Sequence, residues 1–443
     1  MSLIQAGDRN LVEYAYPEGE ERERTPLIAL LVAVFIVMST SVAPLPTWNL
    51  IVKGIGGVLA LSFLVYALRT RFRLSPELLL YAGWTLWCLA AVLAGTAYPQ
   101  IFWESWSTIV NICVAIFILT LCTNSRRTLS INLFSLLLAA GFVASYSVFT
   151  GEFRIGEGEG KRVAGIALNS NSFGFLVLLA SIVLAYLWMV QRRGKGLGRP
   201  ILIAGMILFG LAIVATGSRK SVAGLVFFYI AWAWFCYRKE MTQKPGVLLG
   251  VIAGLLFGGV VMVFALQGSV VAKRFGYTFE ALHGERAKET GEERVFLYKE
   301  GFRVAAEHPF VGVGVRGFLA RARVRSMTHS DPMEVLTSSG IPGLLMYGSI
   351  LVVLWVRAGK IAKYSDDPLE VKIAQLIRAV ILTMFLLSLG RTNYGAKDYW
   401  VVMGSFIGWS HAIWLKLRER MELGTLGSPA GEQEMALSQY QRW

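Results

Sequence analysis

Long apolar runs separated by short polar stretches recur along the whole chain, near residues 27–43, 50–68, 78–94, 105–122, 130–149, 171–190, 201–216, 221–237, 246–266, 340–356, 372–389 and 399–415. The hydrocarbon core of a bilayer takes about 20 apolar residues of helix. Each run therefore predicts one membrane-crossing helix, and the pattern predicts an all-α integral membrane fold of about 12 spans. The first run follows a polar segment and is longer than the core of a signal peptide, so it is expected to be a retained helix.

Alternate loops differ in their Lys and Arg content. One set holds Arg69, Arg71 and Arg73; Arg126 and Arg127; Arg192, Arg193, Lys195 and Arg199; Arg238, Lys239 and Lys244; and Arg357, Lys360 and Lys363. The short opposite loops at 44–49 and 95–104 hold none. Because basic loops are retained on the cytoplasmic side, the terminal segments 1–26 and 416–443 are expected in the cytoplasm. Residues 27–266 then carry nine spans, 340–415 carry three more, and 267–339 form a long periplasmic loop. Loops of that length are commonly functional. Within it, Thr290-Gly-Glu-Glu293 opens like a capping box and predicts a helix reaching Pro309. A second helix is expected after Ser330-Asp331-Pro332, running into Gly340-Ile-Pro-Gly343.

Composition narrows the function. With 55% hydrophobic and 16% charged residues, a soluble multidomain protein is excluded. The net charge of +14 comes from short basic clusters at span ends, which suits anionic headgroups rather than nucleic acid. Cys88, Cys113, Cys122 and Cys236 all lie inside apolar runs without CxxC spacing, so neither disulfides nor a zinc site are expected. The spans show essentially no carboxylates to bury. That weakens ion-coupled transport and leaves no ligand set for a hard cation.

Basic residues on the outer side run against the charge bias and need another explanation. Arg162, Arg219, Lys220, Arg391 and Lys397 sit at outer span ends, and the long loop adds Arg294, Arg303, Arg316, Arg321, Arg323 and Arg325. Convergence of such groups would suit a diphosphate, because guanidinium offers a planar fork of donors and stays charged; headgroup binding is the alternative. Thr216-Gly-Ser-Arg-Lys-Ser221 ends one helix and begins the next, placing backbone amides of a helix N-terminus beside Arg219. A tight helix hairpin would need only Gly217 and Ser218 from that element. Gly312-Val-Gly-Val-Arg-Gly317 matches GxGxxG but lacks the strand and acidic residue of a dinucleotide fold, so it is expected to be a tight loop presenting Arg316. Of the histidines, His411 falls in the last span and His283 and His308 in loop segments. His329 instead precedes a predicted helix start beside the outer cations, where a neutral imidazole can accept a proton from a sugar hydroxyl.

Four segments together resemble the O-antigen ligase and polymerase family of bacterial membrane glycosyltransferases: Arg162 to Asn171, Thr216 to Ser221, Glu307 to Phe318 and His329 to Leu344. The resemblance implies a GT-C-like helical membrane fold in the inner membrane and a metal-independent transferase without cofactor. Its donor would be a glycan on undecaprenyl diphosphate and its acceptor a hydroxyl of lipid A-core or of another lipid-linked glycan. By the same resemblance Arg162 and Arg219 hold the diphosphate and His329 activates the acceptor. Lys220, Asn171, Arg294, Arg316, Arg391 and Lys397 are then expected to bind substrate, and outer-loop aromatics such as Tyr277, Phe279 and Phe318 to line a sugar path or pack in the core. Many polymerase-like members carry Asn after the histidine, where this chain has Ser330. Ligation is the favoured reaction, polymerisation the alternative, and a lipid or polysaccharide transporter or an assembly scaffold the readings of other classes.

Overall fold

The computed structural model describes residues 27–41, 46–69, 73–150, 153–156, 160–163, 169–191, 198–243, 246, 291–323 and 326–423. Helices α1 (Leu27–Ser41), α2 (Pro46–Arg69), α3 (Pro76–Trp87), α4 (Ala90–Leu93), α5 (Pro99–Cys122) and α6 (Arg126–Phe149) precede a hairpin of β1 (Phe153–Gly156) and β2 (Gly160–Val163). Then come α7 (Ser170–Val190), α8 (Gly198–Ala215), α9 (Arg219–Gln243), α10 (Gly291–Glu307) and α11 (Phe318–Arg321). The chain continues through α12 (Asp331–Tyr364), α13 (Pro368–Ser388) and α14 (Lys397–Glu422).

Every apolar run of the sequence falls on one of these helices except that near 246–266, which but for Gly246 lies outside the described residues. Among the described residues eight segments are long and apolar enough to cross a membrane, and α1 and Leu50–Tyr66 of α2 are shorter apolar helices. The chain is a multi-pass helical membrane protein. It departs from the all-helical expectation in the β1–β2 hairpin, whose register sets Arg154 opposite Arg162. The third run is likewise divided, between α3 and α4.

Local chemistry starts these helices where they start. Proline occupies the first turn of α3, α5, α12 and α13, where its missing N–H costs nothing. Ser125 and Thr128 form a reciprocal cap on α6, and Asn169 and Asp367 accept backbone N–H bonds at the starts of α7 and α13. The helix α7 is apolar all round and buried along most of its length, including Phe173, Leu178, Ile182 and Tyr186. Equally apolar α8 packs chiefly on α7 and leaves Ile201, Ile207 and Leu208 exposed.

Contacts between helix ends divide the bundle into two faces. At one face Arg126 pairs with Asp367 at 3.0 Å, Lys372 with Glu240 at 3.2 Å and Arg357 with Glu77 at 2.6 Å. Glu77 is fully buried, which corrects the expectation of spans without buried carboxylates; Arg357 supplies the compensating charge that a lone carboxylate there would lack. The helices α9 and α13 both run from this face to the other. Their far ends, the 216–218 turn and the 389–396 loop, meet there with the start of α12.

The break in α12 shapes that second face. Gly340 adopts φ 67° and ψ −171°, dividing Asp331–Ser339 from the long apolar remainder. Carbonyls released by the break are not left unpaired: Val313 N donates to Thr337 O at 2.8 Å, and Gly314 N to Ser338 O at 2.9 Å. Ile341 N donates to Pro309 O at 2.7 Å. The glycine-rich 312–317 segment is thus a backbone cap for a helix end. A Cβ at Gly340 would stand 2.3 Å from Phe310 O. Gly340→Ala is therefore expected to cost about 3 kcal/mol, read as a lower unfolding midpoint of the detergent-solubilised protein. Phe318 is fully buried in a small cluster with Leu297, Val304, Val313 and Ala322, so it packs the core under α10 and does not line a sugar path. Tyr277 and Phe279 lie outside the described residues.

Candidate functional site

Just before α12 the chain makes a short turn that exposes His329. Thr328 Oγ1 accepts from Ser330 N at 3.4 Å and donates to Glu334 Oε2 at 2.8 Å, while Thr328 N donates to the same carboxylate oxygen at 3.3 Å. Glu334 N in turn donates to Ser330 O at 2.8 Å, closing the first helical bond. His329 is left at the crest with φ 55°, a left-handed conformation that costs about 1 kcal/mol for an ordinary side chain. Among the described residues Arg316, with φ 57°, is the other non-glycine residue at positive φ. Such strain concentrates at functional sites, and here both instances fall on residues singled out for chemistry.

Asp331 ties this turn to the loop between α13 and α14. Its fully buried carboxylate accepts the N–H groups of Asn393 and Tyr394 at Oδ1, the second at 3.0 Å, and the Tyr347 hydroxyl at Oδ2, 3.4 Å away. Removing it would leave two backbone donors unpaired in a dry environment. Asp331→Ala is expected to destabilise the fold by about 3 kcal/mol and to speed amide exchange at Asn393 and Tyr394, which hydrogen-exchange mass spectrometry over that loop would detect. The same loop carries Arg391, whose Nη1 donates to Asn171 O at 2.8 Å and Nε to Asn393 Oδ1 at 2.9 Å. Its guanidinium lies 4.1 Å over the Phe175 ring. Burial pulls it down to about 10, the carboxylates of Asp398 and Asp331 opposing the shift, so it remains charged at neutral pH.

The turn from α8 into α9 approaches from the other side. Gly217 takes φ 67°, Ser218 N donates to Thr216 Oγ1 at 3.1 Å, and Ser221 N to Ser218 Oγ at 3.4 Å. The N-terminal turn of α7 lies directly against this element: a Cβ at Gly174 would meet Ser221 Oγ at 2.8 Å and Thr216 Oγ1 at 2.9 Å. Two helix N-termini with their positive dipole ends are thereby set side by side. Lys220 Nζ donates to the carbonyl of Gly390, linking the start of α9 to the Arg391 loop.

Lys220, Asn171 and Arg391 are therefore in one connected network, and Asp331 joins it to the turn bearing His329. Arg219 stands beside Lys220 at the start of α9, partly exposed. Arg162 lies on β2, which packs against α7 at this face, and Arg294 lies on α10; the side chains of both are outside the described residues. Lys397 donates to Ser39 O at the end of α1 and is engaged in holding α14. Arg316 is exposed on the loop after Gly314. Other loop arginines are held locally: Arg303 by Glu300 and Glu307 at 2.9 and 2.6 Å, Arg323 by Glu300 at 3.7 Å, and Arg321 over Tyr98 at 5.5 Å. Asp331 and Glu334 were missed from the sequence as site residues because acidic groups in a first helical turn read simply as capping; their closeness to His329 was the available signal.

Residues 204–348 match a family model described as O-Antigen ligase. That stretch contains the 216–221 turn, the 312–317 cap and the His329 turn, and ends inside α12. No curated protein sequence matches the chain.

Proposed function

For a chain whose residues 204–348 match a family model described as O-Antigen ligase, we propose a glycosyl transfer at the face that carries His329, Arg219 and Arg391. The donor is a glycan on undecaprenyl diphosphate. An acceptor sugar hydroxyl attacks the anomeric carbon of its first sugar, the bond from that carbon to the diphosphate oxygen breaks, and undecaprenyl diphosphate departs. Attack from the opposite side inverts the anomeric centre. His329 accepts the proton of the attacking hydroxyl. Arg219 and Arg162, with Lys220, Arg391 and the N-terminal amides of α9 and α7, neutralise the charge that grows on the leaving diphosphate. Fixed cations perform this task without a metal ion.

The observation that carries this reading is the chain of contacts from Lys220 to the Gly390 carbonyl, from the adjacent Arg391 to Asn393, and from Asn393 to Asp331, two residues from His329. It sets cationic groups and a strained, exposed imidazole at the same face, where a headgroup diphosphate and an acceptor hydroxyl can meet. We read that face as periplasmic from the charge bias of the loops, with both termini in the cytoplasm and the inner membrane as the location. Ligation to lipid A-core is the favoured reaction, with polymerisation onto a second lipid-linked glycan as its alternative. Purified protein in liposomes, given a lipid-linked oligosaccharide and lipid A-core, should form a new glycosidic bond in the presence of a chelator. Movement of lipid-linked glycan across the bilayer with no new bond would instead establish a transporter.

A further inference from the structure

The two strained non-glycine residues of this face share one neighbour. Glu334 is fully buried, binds Thr328 through both its hydroxyl and its N–H, and lies within electrostatic reach of the Arg316 guanidinium. Thr328 is the residue immediately before His329, and the hydroxyl that Glu334 binds also accepts the N–H of the residue immediately after it. The left-handed turn that projects the imidazole is therefore anchored on both flanks to one carboxylate oxygen. The other oxygen, Oε1, is buried and makes no hydrogen bond among the described residues.

We infer that Glu334 is the positioning residue for the transferase reaction: acting through Thr328, it holds His329 in the left-handed conformation from which the imidazole reaches the acceptor hydroxyl. The inference rests on the transferase reading above. Neither Glu334 nor Thr328 touches substrate. Their contribution is to keep the base aligned, and a base displaced by an ångström loses on the order of 100-fold in rate. Because donor binding depends on the cationic groups of α9 and the 389–396 loop, loss of this anchor should act on turnover and leave donor affinity alone.

The test is steady-state kinetics of the full-length protein in liposomes with a lipid-linked oligosaccharide donor and lipid A-core acceptor, comparing wild type, Glu334→Ala, Glu334→Gln, Thr328→Val and the Glu334→Ala/Thr328→Val double variant. Glu334→Ala should lower kcat on the order of 100-fold with donor KM within about twofold of wild type. Glu334→Gln, whose amide oxygen still accepts from Thr328, should recover most of the lost turnover. The double variant should be no worse than Glu334→Ala, because both changes cut the same link. A Glu334→Ala protein that turns over within about threefold of wild type overturns the inference, as does a Gln variant no better than Ala, or a rise in KM matching the fall in kcat. Should Glu334→Ala fail to fold, Thr328→Val interrogates the same bond from the other side, and wild-type kcat there overturns the inference equally. Wild-type protein that forms no glycosidic bond defeats the transferase reading itself, whereas an active wild type beside an undiminished Glu334→Ala defeats only the role of Glu334.

Discussion

His329→Ala is expected to abolish glycosyl transfer while leaving an inserted, folded protein. The side chain is exposed, so its removal opens no cavity in the core. Alanine inherits the φ of 55°, which costs about 1 kcal/mol, too little to unfold a bundle of this size. On the proposed reading, what is lost is the group that takes a proton as the acceptor oxygen bonds to the anomeric carbon, a contribution of about 100- to 10,000-fold. Transfer of a radiolabelled glycan to lipid A-core, followed by electrophoresis, would measure it. Because His329→Gly removes both the imidazole and the backbone strain, it should be as inactive as alanine and more stable. Activity near wild type in either variant would remove the histidine from the mechanism.

The second large effect is expected at Arg219, with a different kinetic signature. A lysine there keeps the charge and the helix N-terminus but replaces a planar fork of donors with one ammonium. Loss of a preorganised donor to a charge that develops during reaction costs on the order of 100-fold in turnover, so Arg219→Lys should fall in kcat by about that factor. Thr216, Gly217 and Ser218 would still form the tight hairpin, and thermal stability should stay near wild type. Wild-type kinetics for Arg219→Lys would reduce the arginine to an interfacial anchor. The predicted pair is diagnostic: the histidine variant blocks proton removal, and the arginine variant weakens leaving-group stabilisation, so an acceptor of lower hydroxyl pKa should partly rescue only the former.

Much of this architecture was written in one dimension. Apolar runs gave the helices, since a span must close its backbone hydrogen bonds within itself wherever it lies. Thr290-Gly-Glu-Glu293 and Ser330-Asp331-Pro332 marked where two further helices begin, because caps act within three residues. The turn at 216–221 and the glycines at 312, 314 and 340 were also legible, as local conformation is a property of adjacent residues. Burial was not: α7 and α8 are equally apolar, yet one is enclosed and the other leaves much of its surface bare. Lipid and protein interior are nearly the same solvent to a leucine, so hydropathy does not distinguish them.

Polar contacts between distant segments were hidden for a related reason. Asp331 and Glu334 look like ordinary first-turn acids. Only the folded chain shows that one receives the backbone of residues 393 and 394 and the other grips the turn under His329. Likewise Lys397 and Arg303, which by charge alone belonged with the outer cations, are engaged with Ser39 and with Glu300 and Glu307. The sequence by itself therefore determined the helical membrane class, the tight turn at 216–221 and the inventory of basic residues at span ends. Tertiary structure decided which of those cations share a network and which carboxylates anchor the histidine, because such pairings depend on the path of a chain whose contacting residues lie tens to hundreds of positions apart.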